Sequence, residues 1–324
     1  MGERDVPERE MPWLPGHANS RPVRAGNAAA NQLQLDVYGE VMDTLHVART
    51  AGLERDGHAW SLQRVLLDFL ESHWQQPDNG IWEFRGPRQH FTHSKVMAWV
   101  ALDRAVKAVE KQGLSGPVER WRELRARIHR DVCERAFDSR RGTFVQSYSS
   151  KQLDASLLII PLVGFLPPED PRVAGTLRAI EDELMCDGLL LRYRTADARD
   201  GLPASEGVFL PCSFWLADNL ALAGKQEEAE GLFERLLRLR NDVGLLSEQY
   251  DPVGKRMLGN FPQAFTHLSI VNTARNLLRP GGPAEHRSGT AGAVPERGAP
   301  GDRRPADGAG RRVPAGSLPG DVLR

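Results

Sequence analysis

The spacing of apolar residues leaves this chain little choice but helices. On a segment otherwise crowded with Arg and Glu, Val118, Trp121, Leu124, Ile128 and Val132 recur at intervals of three and four, the mark of an amphipathic helix with one buried stripe. The same periodicity predicts nine helices, at roughly 31–51, 59–75, 92–112, 116–138, 153–163, 170–186, 209–223, 226–240 and 263–278. Strand signal is poor, with Thr143 to Tyr148 the best candidate. The expectation is an all-α fold.

The connections carry sharper information. Those after the first, third, fifth and seventh helices are short; those after the second, fourth, sixth and eighth are long and rich in Gly, Pro, Asp and aromatics. In stacked antiparallel helices successive connections fall on opposite ends, so all the long ones emerge on one face. Two of them hold acidic, aromatic turns: Asp78-Asn79-Gly80-Ile81-Trp82-Glu83-Phe84-Arg85-Gly86 and Gly244-Leu245-Leu246-Ser247-Glu248-Gln249-Tyr250-Asp251-Pro252. Cleaving an acetal needs one carboxylic acid to protonate the leaving oxygen and one carboxylate to activate water. Glu83 and Glu248 are the candidates for those roles, which suggests a glycoside hydrolase. Asp251, in an Asp-Pro turn opener, competes with Glu248 for the second role.

Composition removes other classes. A net charge of −1 over 324 residues gives no footprint for nucleic acid or an anionic membrane. Cys133, Cys186 and Cys212 are widely spaced and odd in number, as buried thiols in a reducing compartment would be. The charged start Met1-Gly2-Glu3-Arg4-Asp5 lacks an apolar signal core, and no stretch is long and apolar enough to span a bilayer. A cytoplasmic protein is expected. His90 and His93 form an HxxH pair, but without a glutamate between them or a third ligand they favour structural or sugar-contact roles over metal. No cofactor is expected. From Pro280 onward Gly, Pro, Ala and Arg dominate, and residues 280–324 are expected to form a disordered tail, either functional or frameshifted.

The two acidic loops also resemble a known family. Gly80-Ile81-Trp82-Glu83 followed by His90-Phe91-Thr92-His93-Ser94-Lys95 is similar to the general-acid region of glycoside hydrolase family 15, the bacterial glucoamylase and trehalase group. Ser247-Glu248-Gln249-Tyr250-Asp251 with Gly259-Asn260-Phe261-Pro262-Gln263 is similar to its second catalytic loop. Ser20-Arg21-Pro22-Val23-Arg24, Gln34-Leu35-Asp36-Val37-Tyr38-Gly39 and Glu206-Gly207-Val208-Phe209 add to the likeness, which runs from about Pro12 to Arg275. The resemblance implies an (α/α)6 toroid of six helical hairpins. Counting from the acid and base loops, residues 1–279 would be a partial catalytic domain of that kind, lacking about three N-terminal helices.

It also implies roles. Glu83 would be the general acid and Glu248 the general base, on carboxyl groups about 6.5–9.5 Å apart if the reaction inverts. Trp82, Arg85, Arg24, Asp36, Glu206 and Tyr250 are the candidate substrate-binding residues, with surface or capping roles as their alternative. The expected function is an inverting, exo-acting hydrolase releasing glucose from α-glucosides, trehalose and maltooligosaccharides being indistinguishable at this level. The alternative is a vestigial carbohydrate-binding remnant of such an enzyme. The expected partner is a small carbohydrate.

Overall fold

Eight of the nine expected helices form close to their predicted limits in the computed structural model, which describes residues 6–53, 57–194, 207–278 and 287. They are α1 (Asp36–Thr50), α2 (Gly57–His73), α3 (Thr92–Gln112), α4 (Val118–Arg135), α6 (Pro171–Leu184), α7 (Leu210–Leu222), α8 (Gln226–Leu237) and α9 (Ala264–Leu278). The ends follow local chemistry. Asp170 accepts from the Arg172 amide at 2.9 Å and Pro171 opens α6, so both N-terminal signals act together. α3 stops at Gly113, whose φ of 70° supplies the left-handed cap.

The fifth segment departs from expectation. Residues 153–163 give a 3-10 turn, Ala155–Leu158, and then a single α turn, α5 (Ile159–Leu162). Pro161 and the left-handed Gly164 leave no room to propagate it. The strand expected over 143–148 shortens to Thr143–Phe144 (β4), antiparallel to Phe137–Asp138 (β3). Other small ladders went unread: β1 (Arg9–Glu10) with β2 (Arg24–Ala25), β5 (Met185–Cys186) with β6 (Leu189–Leu190), and β7 (Val208–Phe209), β8 (Gln249–Asp251) and β9 (Arg256–Leu258) in one sheet. Two or three residues are too few to show an alternating period.

The helices form two layers. α1, α3, α5, α7 and α9 line a central cavity of about 570 Å3, and α2, α4, α6 and α8 pack outside them. α3 is buried almost all round over residues 92–106, whereas α4 buries only the predicted stripe of Trp121, Leu124, Ile128 and Val132. α1 approaches α3 so closely that a Cβ on Gly39 would lie 2.3 Å from the Met97 carbonyl oxygen, so only glycine fits. This alternation of inner and outer helices is the (α/α)6 type of architecture, here an arc running from α1 to α9.

Charge is buried where the inner helices meet. The Arg104 side chain has no solvent contact; it donates to Asp43 of α1 at 2.8 Å, to Asp103, and to the Val163 carbonyl after α5 at 2.9 Å. Burial alone would push the Asp43 and Asp103 carboxyls up, but the guanidinium groups of Arg287 and Arg104 at Asp43, and Arg104 with Lys107 at Asp103, hold both below the usual range. Asp218 on α7 is the opposite case. Burial pushes it up to about 7, against the bond from Asn276 at 2.9 Å.

No described helix is long and apolar enough to cross a membrane. Cys212 is buried, Cys133 and Cys186 half-buried, and all three are free thiols. Apart from Arg287, the stretch 280–324 lies outside the described residues.

Two outcomes follow from the buried charges. Arg104→Met takes from Asp43 and Asp103 a buried partner that Arg287, Lys107 and Arg125 only partly replace, and should lower the unfolding free energy by about 3 kcal/mol, read from urea midpoints at pH 7. Asp218 has a folded-state value above its unfolded one, so it favours folding when protonated and penalises it as pH rises from about 4 through 7. Asp218→Asn should therefore be more stable than the parent by a few kcal/mol at pH 8, with the difference shrinking to near zero at pH 4.

Candidate active site

Each inner helix is preceded by one long connection, and these connections are hydrogen-bonded to one another in sequence. Before α1, the amides of Leu33 and Leu35 donate to the side chains of Asn79 and Asp78, at 3.2 and 3.0 Å. The segment before α3 continues the belt: the Trp82 indole donates to both oxygens of Asp154, at 3.0 and 2.9 Å, and Phe91 bridges to Ser147. Ala155 then donates to the Arg192 carbonyl at 2.8 Å. Finally β7, which leads into α7, pairs with β8, which lies in the segment before α9. Glu83 and Glu248 both ride on this belt, and so lie at the same end of the inner helices.

Glu83 is placed by its neighbours. Its φ of 54° is left-handed, a conformation that costs an ordinary L-residue roughly 1–2 kcal/mol. Turn closure explains the need: the Phe84 amide donates to the Asn79 carbonyl at 3.0 Å and the Glu83 amide to the Gly80 carbonyl at 3.1 Å, a nested pair that sets Glu83 at the left-handed position, exposed between Trp82 and Phe84, which are 7 % and 3 % exposed. Both flanks are pinned, Trp82 by Asp154 and the Phe84 carbonyl by the Asn79 side chain, whose Nδ2 donates to it at 2.9 Å. The Gln32 side chain adds bonds to the carbonyls of Glu83 and Phe84, and Gln34 reaches Glu83 Oε1 at 3.4 Å. Beneath the loop, buried Lys95 caps the end of α2 by donating to the Trp74 and Gln76 carbonyls; burial lowers its amine to about 8.

Glu248 is held from one side only. Its Oε2 accepts from the Asn260 amide at 3.1 Å and from the Asn260 side chain at 2.9 Å, which fixes the direction of the other oxygen. Gly259 makes room: it has a φ of 73°, and a Cβ there would lie 2.9 Å from Oε2. Its rival Asp251 behaves as a turn former. Asp251 Oδ1 accepts from the Val253 and Gly254 amides, and those bonds with Arg256 hold the carboxyl below its usual range.

The candidate substrate-binding residues scatter. Arg85 makes a two-pronged pair with Glu8, both bonds 3.1 Å, and Arg24 reaches Glu8 and Glu10, so these arginines brace the loop to the N-terminal segment. Trp82 faces the core, with its ring 5.1 Å from Phe209 and 6.2 Å from Trp215. Tyr250 is half-buried in β8 opposite Val208. Asp36 lines the central cavity, where burial and then the nearby Asp78 carboxylate push it up to about 7. Glu206 lies outside the described residues. His90 stacks on Tyr148, while His93 faces the cavity, its imidazole lowered to about 4 by burial.

Sequence reading missed Asp78, Asn79, Asp154 and Gln32 as supports of the site, and gave Asn260 no role. For Asp154 a signal exists, since an Asp just before the apolar run from Ala155 to Leu162 reads as an N-cap, and the Ser156 backbone amide does donate to it at 2.8 Å. Burial raises the Asp154 carboxyl against the bonds from Gln146, Ser156 and Trp82.

Comparison with known proteins agrees with this architecture. The sequence matches the family described as glycosyl hydrolases family 15 over residues 2–275. It is 44 % identical to the trehalase of Mycobacterium tuberculosis over 92 % of this chain and 43 % of that protein. It is 40 % identical to the trehalase of Thermoplasma acidophilum over 84 % of this chain and 46 % of that protein. The chain thus spans less than half the length of these relatives. Among solved structures, a wild-type glycosidase superposes with a TM-score of 0.66 at 23 % identity, covering 80 % of this chain and 72 % of that one. A bacterial glucoamylase complexed with acarbose gives 0.62 at 15 %, covering 76 % and 41 %. With its helices layered in the (α/α)6 manner and this match spanning nearly all the described residues, the chain belongs to glycosyl hydrolase family 15.

Proposed function

We propose that this chain carries the acid and base of an inverting, exo-acting glycosidase that cleaves α-glucosides, trehalose first among them, and releases glucose. The observation that supports it most is the fastening of Glu83: a glutamate held in a left-handed turn, flanked by two pinned aromatics and directed outward. Nothing in the packing requires a carboxylate there. Glu83 serves as the acid that protonates the glycosidic oxygen. Glu248, oriented by Asn260, serves as the base whose second oxygen takes a proton from water attacking the opposite face of the sugar. Trehalose is preferred to longer glucans because the trehalases are the relatives of higher identity.

The substrate contacts divide by position. Asp36 in the cavity is placed to meet a hydroxyl, as hydrogen-bond donor while protonated. Arg24 and Arg85 act by holding the mouth in shape, and Trp82 supports Glu83 from behind. Tyr250 and Glu206 are assigned to substrate binding by resemblance alone. A carbohydrate-binding remnant without turnover is the second reading, favoured by one observation: Arg24 and Arg85 are taken up by Glu8 and Glu10 and not turned to a substrate.

Activity and its stereochemistry separate these readings. Glu83→Gln and Glu248→Gln should each reduce glucose release from trehalose by about 100-fold or more, while leaving the unfolding free energy in urea within roughly 0.5 kcal/mol of the parent. Proton NMR of the first turnovers should show α- and β-glucose in equal amounts, since inversion at one anomeric carbon of trehalose yields one of each. Release of α-glucose alone would identify retention and remove Glu248 as base. Trehalose binding without any turnover by the parent would establish the remnant.

A further inference from the structure

His93 is buried without a partner. It stands in the first turn of α3, 3 % exposed, and neither ring nitrogen bonds to any of the described residues. Buried polar side chains are ordinarily hydrogen-bonded, since an unmet donor or acceptor costs stability. Leucine or phenylalanine would fill such a place without that cost. Asp36 repeats the anomaly on the neighbouring helix: it is 6 % exposed, and its Oδ1 likewise finds no partner among the described residues.

The packing of α1 on α3 brings the two together. Gly39 meets the Met97 carbonyl where the helices are closest, and Asp36 stands three residues before Gly39, His93 four before Met97. Each is therefore one turn nearer the loops than that contact, at one level of the inner layer. Both line the central cavity. The cavity also leads to the acid. Ile81 lines it two residues before Glu83, and Gln34, two residues before Asp36, reaches Glu83 Oε1 at 3.4 Å.

The unmet atoms define what would meet them. Burial lowers the His93 imidazole to about 4, so at neutral pH it offers one donor and one acceptor. Burial, and then the Asp78 carboxylate, raise the Asp36 carboxyl to about 7, so below that pH it offers a donor. A hydroxyl, which both gives and accepts a hydrogen bond, suits this pair. The other acids of the cavity, Glu40, Asp43 and Asp218, lie one turn or more further along α1 and α7, and Asp43 is already paired with Arg104 and Arg287. Trp215 and Phe265, with ring centres 5.6 Å apart, add an apolar wall. Aromatic surface beside uncharged hydrogen-bonding groups is the complement of a neutral sugar ring.

We propose that His93, together with Asp36, reads one ring hydroxyl of the glucosyl unit whose bond Glu83 protonates, and so determines which sugars the site accepts. This rests on reading the site as one for α-glucosides, though not on turnover. A sugar that lacks the hydroxyl, or carries it on the opposite face, leaves the imidazole unmet and is rejected for that reason.

The test is calorimetric binding to the full chain carrying Glu83→Gln, so that the ligand is not consumed. The ligands are trehalose and analogues lacking the same hydroxyl, at C2, C3, C4 or C6, from both rings. Adding His93→Phe should weaken trehalose binding about tenfold or more. The penalty for one analogue should then shrink to within about twofold, while the penalties at the other positions persist. His93→Asn, which keeps a donor and an acceptor, should retain part of that penalty. Asp36→Asn should weaken discrimination at the same position, which keeps the proposal testable if His93→Phe does not fold. Three results overturn it: no trehalose binding by the Glu83→Gln chain, unchanged selectivity in the His93 and Asp36 variants, or loss of every positional penalty at once. Glucose release by the parent is scored separately. A chain that binds in the expected pattern and releases no glucose fails as a glycosidase and keeps the assignment of His93.

Discussion

Arg104 is the fastening on which the curvature of this molecule depends. Its guanidinium fork reaches Asp43 on α1, Asp103 on its own helix and the carbonyl of Val163 beyond α5, so three consecutive inner helices are set at distances that one rigid planar group dictates. A buried ion pair is a poor source of net stability but a strong source of specificity, because any other spacing leaves charge unpaired away from water. Lys107 and Arg125 complete the neutralisation of Asp103 from the outer side.

The belt of connections converts that spacing into a functional surface. Inner helices held at fixed separation present their N-terminal ends together, and the segments entering them are near enough to bond across: Asp78 to Leu35, Asp154 to Trp82, Phe209 to Gln249. Order in the helices thus becomes order in the loops. The loops that carry Glu83 and Glu248 are held in this way by Asp78, Asn79, Asp154 and Asn260.

The sequence disclosed the layers far better than the contacts. Alternating long and short connections sufficed to put Glu83 and Glu248 at one end, and apolar periodicity located eight helices. What it hid depends on partners distant along the chain. Asn79 reads as part of a turn, and nothing local reveals that it receives the Leu33 amide. Arg85 and Arg24 looked available to sugar until Glu8 took both. Trp82 was a candidate for binding substrate because it adjoins an acid, yet its indole nitrogen bonds Asp154 and its ring packs on Phe209 and Trp215. The span of α9 was legible, but not that Thr266, Ser269 and Thr273 are the residues it buries most deeply, since apolar periodicity gives hydroxyl side chains no weight.

The left-handed backbone at Glu83 carries an evolutionary implication. Glycine, or to a lesser degree asparagine, would occupy that conformation with less strain, and the flanking aromatics would pack as before. Relaxed selection therefore has a downhill route there: the first drift away from chemistry would replace the carboxylate and make the protein sturdier. A glutamate at this position is the residue that folding alone would have discarded.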